Sequence, residues 1–432
     1  MTPVDIGLIA LAAICILIIV GMFVPIALIF CSFCGLWAIK GSPVLAAKML
    51  GVAANDAIQS SFFGVIPLFV LMGFVVAETG LGRDAYDVAA RVFRNVRGGL
   101  GISTVAANAV FAAITGISIA SAAVFTKIAV PEMKRHGYPV RVAAGIVAGS
   151  SILGMLIPPS LLLILYGLLA EQSIGDLFLA GIGPGLLLTI IFAAGVMYLA
   201  RPGWGQSDTN TSAMSNRETI AKIAPIFALI LLVLGGIYLG FFTPVEAGAI
   251  GAIGALVLGV VKRRLTWTRL WRVMRETGQI TASICFLIIA AQMYSRMLAF
   301  SGVPAGFGSF VADSGLQFWA FIALYVLAVI LMGMILDSAS IMLIVVPLML
   351  PVVGPMGLDL VWFGIVTVIA VEIGLLTPPF GISVYVIRAT LDDPSVSLGD
   401  IFRGAAPFVL MMLLALLLVI SFPAIATFPL GR

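Results

Sequence analysis

Apolar runs of about 18 residues or more follow one another along nearly the whole chain, each long enough to cross ~30 Å of hydrocarbon as an α-helix. No soluble domain of useful size fits between these runs. The residues are 62% hydrophobic and only 10% charged, which leaves too little polar surface to cover a water-soluble globule. The sequence therefore predicts an all-α polytopic membrane protein embedded in a lipid bilayer.

The first apolar run, residues 6–39, is too long for the apolar part of a secretion signal and has no basic residue before it. We therefore expect it to be retained. Glycine and proline interrupt the run near residues 21–25, which is compatible with one long tilted helix or with two short helices. The choice between them decides on which side of the membrane the N-terminus lies.

Lysine and arginine are concentrated in alternate loops. Most of the 23 basic residues lie in the segments 81–100, 131–141, 200–222, 262–277 and 388–403. The opposite loops contain none, and they are 171–175, 240–244, 302–317 and 351–359. Because cytoplasmic loops of membrane proteins retain positive charge, we predict that the first set faces the cytoplasm and the second the periplasm. The basic residues form no single patch, which argues against a nucleic-acid partner.

Two of the basic segments, 82–96 and 262–276, are also amphipathic. In the second, Trp267 and Trp271 are spaced about one helical turn apart. This pattern predicts two helices that lie in the plane of the membrane–water interface.

The chain repeats its helix-breaking motifs at an offset of about 220 residues. A Pro-Pro pair occurs at Pro158–Pro159 and again at Pro378–Pro379, and a Gly-Asp motif follows each pair. Upstream of each pair lies a segment rich in small and hydroxyl residues, 115–133 in one half and 333–349 in the other. This self-similarity predicts two structural repeats.

Each repeat contains about thirty mostly apolar residues, 99–131 and 317–351, whose two ends face the same predicted side of the membrane. Such a segment must enter the membrane and turn back, so we predict two re-entrant helical hairpins with tips near 115–118 and 337–340. The first hairpin enters from the basic side and the second from the opposite side, so the repeats are inverted. Inverted repeats with interrupted helices are typical of secondary transporters.

A Pro-Pro pair removes two backbone donors from a helix, so we expect free carbonyl groups at 154–157 and at 374–377. A dehydrated sodium ion prefers such oxygen ligands, and nearby hydroxyl groups can complete its shell. The candidate hydroxyl groups belong to Thr115, Ser118, Ser338, Ser340 and Thr377. The alternative for each Pro-Pro pair is a simple helix kink.

Asp337 lies in a long apolar stretch with no basic residue near it in sequence. A carboxylate in this position is a candidate ion ligand, substrate contact or proton carrier, and the alternative is a helix cap at the hairpin tip. Glu372 and Glu246 also lie within or near apolar spans. For these two, the simpler interpretation is a hydrogen bond accepted from a neighbouring helix.

These motifs resemble those of the large membrane subunit, or M subunit, of the tripartite ATP-independent periplasmic (TRAP) transporters. The resemblance covers nearly the whole chain. Its most specific parts are IPPSLLLILYGLLAEQSIGDLFLAGIGPG (157–185), PEMKRHGYP (131–139), GMILD (333–337) and EIGLLTPPFG (372–381). The resemblance implies an elevator-type fold, in which a mobile transport domain containing both hairpins moves against a scaffold.

The resemblance also implies a bacterial inner-membrane location and sodium as the coupling ion. The implied partners are a small four-helix membrane subunit (Q-type), a periplasmic substrate-binding protein (P-type) and a small carboxylate substrate. By this resemblance, the first sodium site would use Thr115, Ser118, Gly154, Ile157 and Pro159. The second would use Asp337, Ser338, Gly374, Thr377 and Pro379. The substrate would lie between the tips, near Ser118, Ser160 and Asp337.

The chain departs from the commoner pattern of this family at Ala370, Ser383 and Ser338, where asparagine, asparagine and proline are often found. These departures leave individual ligands of the second site open. The predicted organisation is a set of N-terminal scaffold helices (1–80), a first inverted repeat with an arm helix (81–200), a linker with scaffold helices and a second arm helix (201–300), and a second inverted repeat (301–432).

Three other functions were weighed. A stand-alone divalent-anion/sodium symporter uses the same two-hairpin arrangement without a binding protein, and the family-specific motifs argue against it. An intramembrane enzyme needs a nucleophile with a base or a metal motif, and the chain contains no GxSxG or HExxH sequence. A channel is disfavoured because broken helices in inverted hairpins favour alternating access over an open pore. The substrate, the number of coupling ions and the oligomeric state are not determined by the sequence.

Overall fold

The computed structural model describes residues 1–59, 61–201, 204, 214–313, 315, 317–391 and 393–431. Parts of the predicted segments 200–222, 302–317 and 388–403 lie outside these residues. Over the described ranges the chain is almost entirely helical and contains no β-strand, which confirms the predicted all-α class.

The N-terminal apolar run forms two helices rather than one. The first helices of the chain are α1 (Pro3–Ile19), α2 (Val24–Lys40), α3 (Pro43–Gln59), α4 (Val65–Glu78) and α5 (Leu81–Val92), with a 3-10 turn at Ser61–Gly64. The sequence analysis did not identify α3. The predicted arm helix at 82–96 corresponds to α5, which is bent by 62° from α4.

The first repeat contains a helical hairpin followed by an interrupted helix. Its elements are α6 (Gly99–Thr115), α7 (Ser118–Arg135), α8 (Val140–Ser151), α9 (Leu153–Leu156), α10 (Leu161–Ala170) and α11 (Ile174–Leu199). Helices α6 and α7 form hairpin 1, whose tip is Gly116–Ile117. The Pro158–Pro159 pair separates α9 from α10, as predicted.

The middle of the chain differs from the prediction in two places. Its elements are α12 (Asn216–Ile230), a π-helical turn (Leu231–Gly235), α13 (Gly236–Tyr238), α14 (Pro244–Val261), α15 (Trp267–Ser301) and α16 (Val303–Asp313). The predicted second arm helix at 262–276 is not a separate element. Its residues from Trp267 onward begin the 35-residue α15, because no proline interrupts that helix. The segment 302–317, predicted as a loop, contains α16.

The second repeat has the same order of elements as the first. It consists of α17 (Phe318–Gly333), α18 (Ser338–Val353), α19 (Leu360–Leu376), α20 (Ile382–Thr390) and α21 (Leu398–Ser421), followed by α22 (Ala424–Thr427) and a 3-10 turn (Phe428–Leu430). Helices α17 and α18 form hairpin 2, and the Pro378–Pro379 pair separates α19 from α20. Among the described residues six helical segments are long and apolar enough to cross a membrane, or seven if α4 and α5 form one bent span.

The five segments predicted to face the cytoplasm meet at one end of the molecule. This agrees with the charge pattern. The contacts that join the segments are Arg97 Nε to Ala200 O (2.8 Å), Lys262 Nζ to Asp84 Oδ2 (2.7 Å), Lys134 Nζ to Asp393 Oδ2 (2.8 Å), and the rings of Tyr138 and Trp204 (5.2 Å between centroids).

The second half of each interrupted helix packs against the hairpin of the other repeat. Helix α10 packs against α18, and α20 packs against α7. The Tyr166 hydroxyl of α10 donates to Leu360 O just beyond the loop that follows α18, at 2.6 Å. The Lys134–Asp393 pair joins the end of α7 to the loop after α20. The members of each pair therefore end together and run parallel.

Candidate functional site

The tip of hairpin 1 lies directly against the first Pro-Pro break. Leu161 N donates to Gly116 O at 3.2 Å. A Cβ atom at Gly116 would lie 2.3 Å from Pro159 O, and the φ angle of +63° at this tip is one that glycine adopts without strain. A Cβ atom at Gly154 would lie 3.1 Å from Ser118 N. Since Thr115 precedes the tip, the structure brings the predicted first-site residues of the tip to those of the break.

The tip of hairpin 2 meets the second break in the same way. Phe380 N donates to Met334 O at 3.3 Å. A Cβ atom at Gly374 would lie 2.6 Å from Gly333 Cα, so the backbones of α17 and α19 are in direct contact. This contact brings the predicted second-site residues at the tip, Asp337 and Ser338, close to the predicted second-site residues around the break. Ala370 and Ser383, two of the departures from the family pattern, are both buried.

Asp337 caps the helix that it precedes. Its carboxylate accepts hydrogen bonds from the backbone N–H of Ser340, at 3.1 Å, and from the Ser340 hydroxyl. The helix-cap interpretation therefore describes these contacts. Asp337 is also exposed. A role for it as an ion ligand or substrate contact stays a prediction.

Two carbonyl groups in the segments predicted to contain free carbonyls, Met155 O and Gly374 O, accept hydrogen bonds. The Ser160 hydroxyl donates to Met155 O and accepts from Leu163 N at 3.3 Å. At the second break, Gly374 O accepts from Thr377 N at 3.0 Å, and the Thr377 hydroxyl donates to the carbonyl one turn earlier at 2.7 Å. A carbonyl oxygen has two lone pairs, so these bonds leave room for a cation.

The two tips differ in their exposure. Thr115 and Ser118 are 2% and 1% exposed, and a Cβ atom at Gly73 of α4 would lie 2.6 Å from Thr115 O, so α4 covers the first tip. At the second tip, Ile335 is 48% and Phe380 is 53% exposed. The second tip and break therefore face an open surface, whereas the first pair is enclosed by protein.

Four helices begin at the tips and breaks. Helices α7 and α18 start at the tips, and α10 and α20 start just after the breaks. Hydrogen bonds bring these starts together in pairs: α7 with α10 through Leu161 N to Gly116 O, and α18 with α20 through Phe380 N to Met334 O. Each N-terminus carries unpaired N–H groups and a partial positive charge, which favours an anion. The predicted substrate residues Ser118, Ser160 and Asp337 all lie at these starts: Ser118 is the first residue of α7, and Ser160 and Asp337 are N-caps.

The donor set at the tips is suited to a hard cation. It consists of hydroxyl, carbonyl and carboxylate oxygens, and the described residues contain no cluster of three histidine, cysteine or acidic side chains of the kind that holds a transition metal. The residues present therefore fit sodium.

Glu372 lies closer to the predicted second-site residues than the sequence indicated. It is fully buried in α19, and its Oε1 accepts from the Ser338 hydroxyl at 3.3 Å. This confirms a hydrogen bond from a neighbouring helix. Glu246 instead accepts from Thr243 in the capping box of its own helix, so the corresponding prediction for Glu246 was wrong.

Sequence reasoning missed a buried polar cluster in hairpin 1. Asn108 of α6 donates to Ser150 Oγ at 2.6 Å and accepts from the Ser121 hydroxyl, which connects α6, α7 and α8. An asparagine in the middle of an apolar run was the available signal, because a buried amide requires partners.

The chain is similar to known proteins over most of its length. Residues 11–425 match the family described as tripartite ATP-independent periplasmic transporter, DctM component. The chain is 34% identical to the C4-dicarboxylate TRAP transporter large permease protein DctM of Pseudomonas aeruginosa over 362 residues, which cover 84% of each protein. It is 30% identical to the sialic acid TRAP transporter large permease protein SiaM of Vibrio cholerae over 416 residues, which cover 94% of each.

A solved structure supports the fold. The YdaH transporter of Alcanivorax borkumensis superposes with a TM-score of 0.63 at 17% sequence identity, over 88% of this chain and 89% of that one. The architecture is thus that of a multi-pass membrane transporter. The chain belongs to the DctM component family of the TRAP transporters.

The chain is therefore the large permease subunit of a TRAP transporter, located in the bacterial inner membrane. Its relatives are transporter permeases and not enzymes, which confirms that prediction. As one component of a tripartite system, it acts with a small membrane component and a periplasmic binding component.

Proposed function

We propose that this permease imports a small carboxylated solute in a sodium-coupled, elevator-like cycle. The observation that carries the proposal is the pair of tip-to-break hydrogen bonds, Leu161 N to Gly116 O and Phe380 N to Met334 O, one in each repeat. Interrupted helices that meet in this way expose helix ends and carbonyl groups to ions and anionic substrates, as in other secondary transporters.

A carboxylate fits the electrostatics of the site. Two helix N-termini lie together at each tip, and each can donate backbone N–H groups to an anion without a basic side chain. The two relatives are named for C4-dicarboxylates and for sialic acid, which are both carboxylates. In the proposed arrangement Ser118 and Ser160 contact the substrate from one repeat and Asp337 from the other.

In the first site, Thr115 and Ser118 offer hydroxyl oxygens, and Gly154, Ile157 and Pro159 offer carbonyl oxygens. In the second, Asp337, Ser338 and Thr377 offer side-chain oxygens, and Gly374 and Pro379 offer carbonyl oxygens. A bound sodium ion supplies positive charge between tip and break. The tip residues are thereby held against the break, and the ordered helix starts retain the carboxylate.

For the elevator movement we propose that residues 1–80 and 201–300 supply most of the scaffold, and that the two repeats carry the site. In support of this division, α1, α2, α3 and α15 supply most of a smaller apolar core, to which α16 and hairpin 2 contribute one buried residue each, Val303 and Ile344. The 62° bend between α4 and α5 suits an arm that links the two parts.

We further propose that the membrane partner is a small four-helix subunit and that a periplasmic binding protein delivers the solute. The test is uptake into proteoliposomes that contain both membrane subunits. Labelled C4-dicarboxylate or sialic acid is presented with its candidate binding protein, with or without an inward sodium gradient. We expect uptake only with both subunits, binding protein and gradient. Uptake by this chain alone would indicate a stand-alone symporter.

Sodium dependence is tested at Thr377, with Thr390 as the matched control. Each hydroxyl donates to the carbonyl one turn earlier at 2.7 Å, but only Thr377 lies at the break. We expect Thr377→Ala and Asp337→Ala to lose sodium-driven uptake while remaining folded and inserted, and Thr390→Ala to retain it. Unchanged sodium dependence in the first two variants contradicts the proposed site.

A further inference from the structure

Glu372 has one carboxylate oxygen that the protein leaves without a partner. Its Oε1 accepts from Ser338 at 3.3 Å, whereas Oε2 is buried and has no hydrogen-bond partner among the described residues. The other buried side-chain oxygens that lack a hydrogen-bond partner among the described residues are hydroxyl oxygens. Glu372 is therefore the single carboxylate with such an oxygen in the described part of the chain. A carboxylate has about four acceptor positions, and one weak bond leaves most of them unused.

The protein also supplies no ion-pair partner for Glu372 within the described residues. None of the ion pairs among the described residues includes it. The side chain is 0% exposed, and its single donor is a neutral hydroxyl. An ionised carboxylate in a membrane-embedded interior is costly unless it is paired or coordinates a cation.

The position of Glu372 links this oxygen to hairpin 2. Its partner Ser338 is the first residue of α18, and Gly374, two residues beyond Glu372, contacts Gly333 at the end of α17. The Glu372 carboxylate therefore lies beside the start of α18, at the second tip. In the first repeat the equivalent position, two residues before Gly154, is Ile152, which has no charge or donor.

We propose that Glu372 is an additional, charged ligand of the second cation site, through its free Oε2. This inference rests on the proposed sodium coupling and deepens it. The two sites then differ in charge, because the second contains two carboxylates, Asp337 and Glu372, and the first contains none. More anionic ligands bind a hard cation more tightly, so the second site fills at lower sodium concentration.

The proposal also gives Ser338 a function. Its hydroxyl bonds to the same carboxylate that holds the cation, so occupancy of the site fixes the first residue of α18 against α19. The exposed tip of hairpin 2 is thereby ordered by the ion.

The test is equilibrium binding of ²²Na⁺ to the purified protein in lipid nanodiscs, with choline replacing sodium at constant ionic strength. Glu372→Gln keeps the size of the side chain and removes its charge. We expect this variant to bind one ion fewer per chain, or to require at least about tenfold more sodium at that site. Glu246→Gln, which alters a carboxylate held in a capping box, is the matched control and should bind as wild type.

The outcomes separate this inference from the sodium coupling itself. If wild type binds sodium and Glu372→Gln binds it with unchanged stoichiometry and midpoint, Glu372 is not a ligand and the inference is overturned. If wild type binds no sodium, both the coupling proposal and the inference fail. If Glu372→Gln does not fold, Glu372→Asp decides, because retraction of the charge should raise the sodium midpoint and an unchanged midpoint overturns the inference.

Discussion

An added methyl group at Gly374 should force hairpin 2 and the second interrupted helix apart. A Cβ atom there would lie 2.6 Å from Gly333 Cα and 2.7 Å from Ile330 O, whereas ordinary contact begins at 3.4 Å. The two helices would therefore have to separate by about 0.8 Å. Both neighbours are backbone atoms and cannot rotate away as a side chain can. Overpacking of this kind costs ~1–3 kcal/mol, and we expect Gly374→Ala to lie near the upper end.

The assay is thermal unfolding of the purified protein in nanodiscs, with and without sodium. Gly374→Ala should lower the unfolding temperature. It should also reduce the stabilisation by sodium, since a ligand stabilises only the state that it binds. Gly278→Ala is the control, because a Cβ atom at this position in α15 has no atom within 4 Å. It should be neutral or stabilising by up to about 1 kcal/mol through helix propensity.

If Gly374→Ala and Gly278→Ala unfold at the same temperature and respond equally to sodium, the reasoning is refuted. That result would mean that α17 and α19 adjust to the methyl group at no cost. The crossing would then not be a rigid part of the site.

Two other predictions concern stability, measured by thermal or denaturant unfolding. Asp84 is 2% exposed and bonds to two basic side chains that themselves reach solvent. Asp84→Ala should therefore lower the free energy of unfolding by ~1–3 kcal/mol, less than the loss of one partner of a fully buried ion pair. An effect below about 0.5 kcal/mol would show that water solvates the two cations equally well without the carboxylate. Asn108→Ala should cost about 2–4 kcal/mol, because a buried hydroxyl loses its acceptor and a cavity remains, and wild-type stability in this variant would mean that water replaces the amide.

Local sequence patterns predicted the helix breaks and the hairpin tips, because these depend on the type of residue at each position. The Pro-Pro pairs and the small polar segments before them located both breaks and both tips, because proline cannot continue a helix and polar backbone collects where a helix turns back. The helix α3 escaped detection because Lys48, Asn55 and Asp56 interrupt its apolar residues. The segment at 262–276 was misassigned because nothing in its composition shows that α15 continues from it.

The partners of individual polar atoms could not be predicted in the same way. Whether Met155 O is free depends on where the Ser160 hydroxyl points, and that depends on the backbone geometry of the break. The same holds for Glu372, whose sequence neighbours are apolar and whose partner Ser338 lies 34 residues away. The enclosure of one tip and the exposure of the other depend on α4, which belongs to neither repeat.

The exchange of helices between the two repeats has a consequence for biosynthesis. Lys134, at the end of α7, pairs with a residue 259 positions later, beside the end of α20. At a synthesis rate of ~5–20 residues per second, about 13–50 s pass between the synthesis of α7 and the synthesis of α20, which packs against it. During that time hairpin 1, with its hydroxyl-rich tip, stays in the membrane without its final neighbour. The nascent chain therefore depends on the insertion machinery to shield the first hairpin, and chains that terminate before α20 are expected to be substrates for membrane proteases.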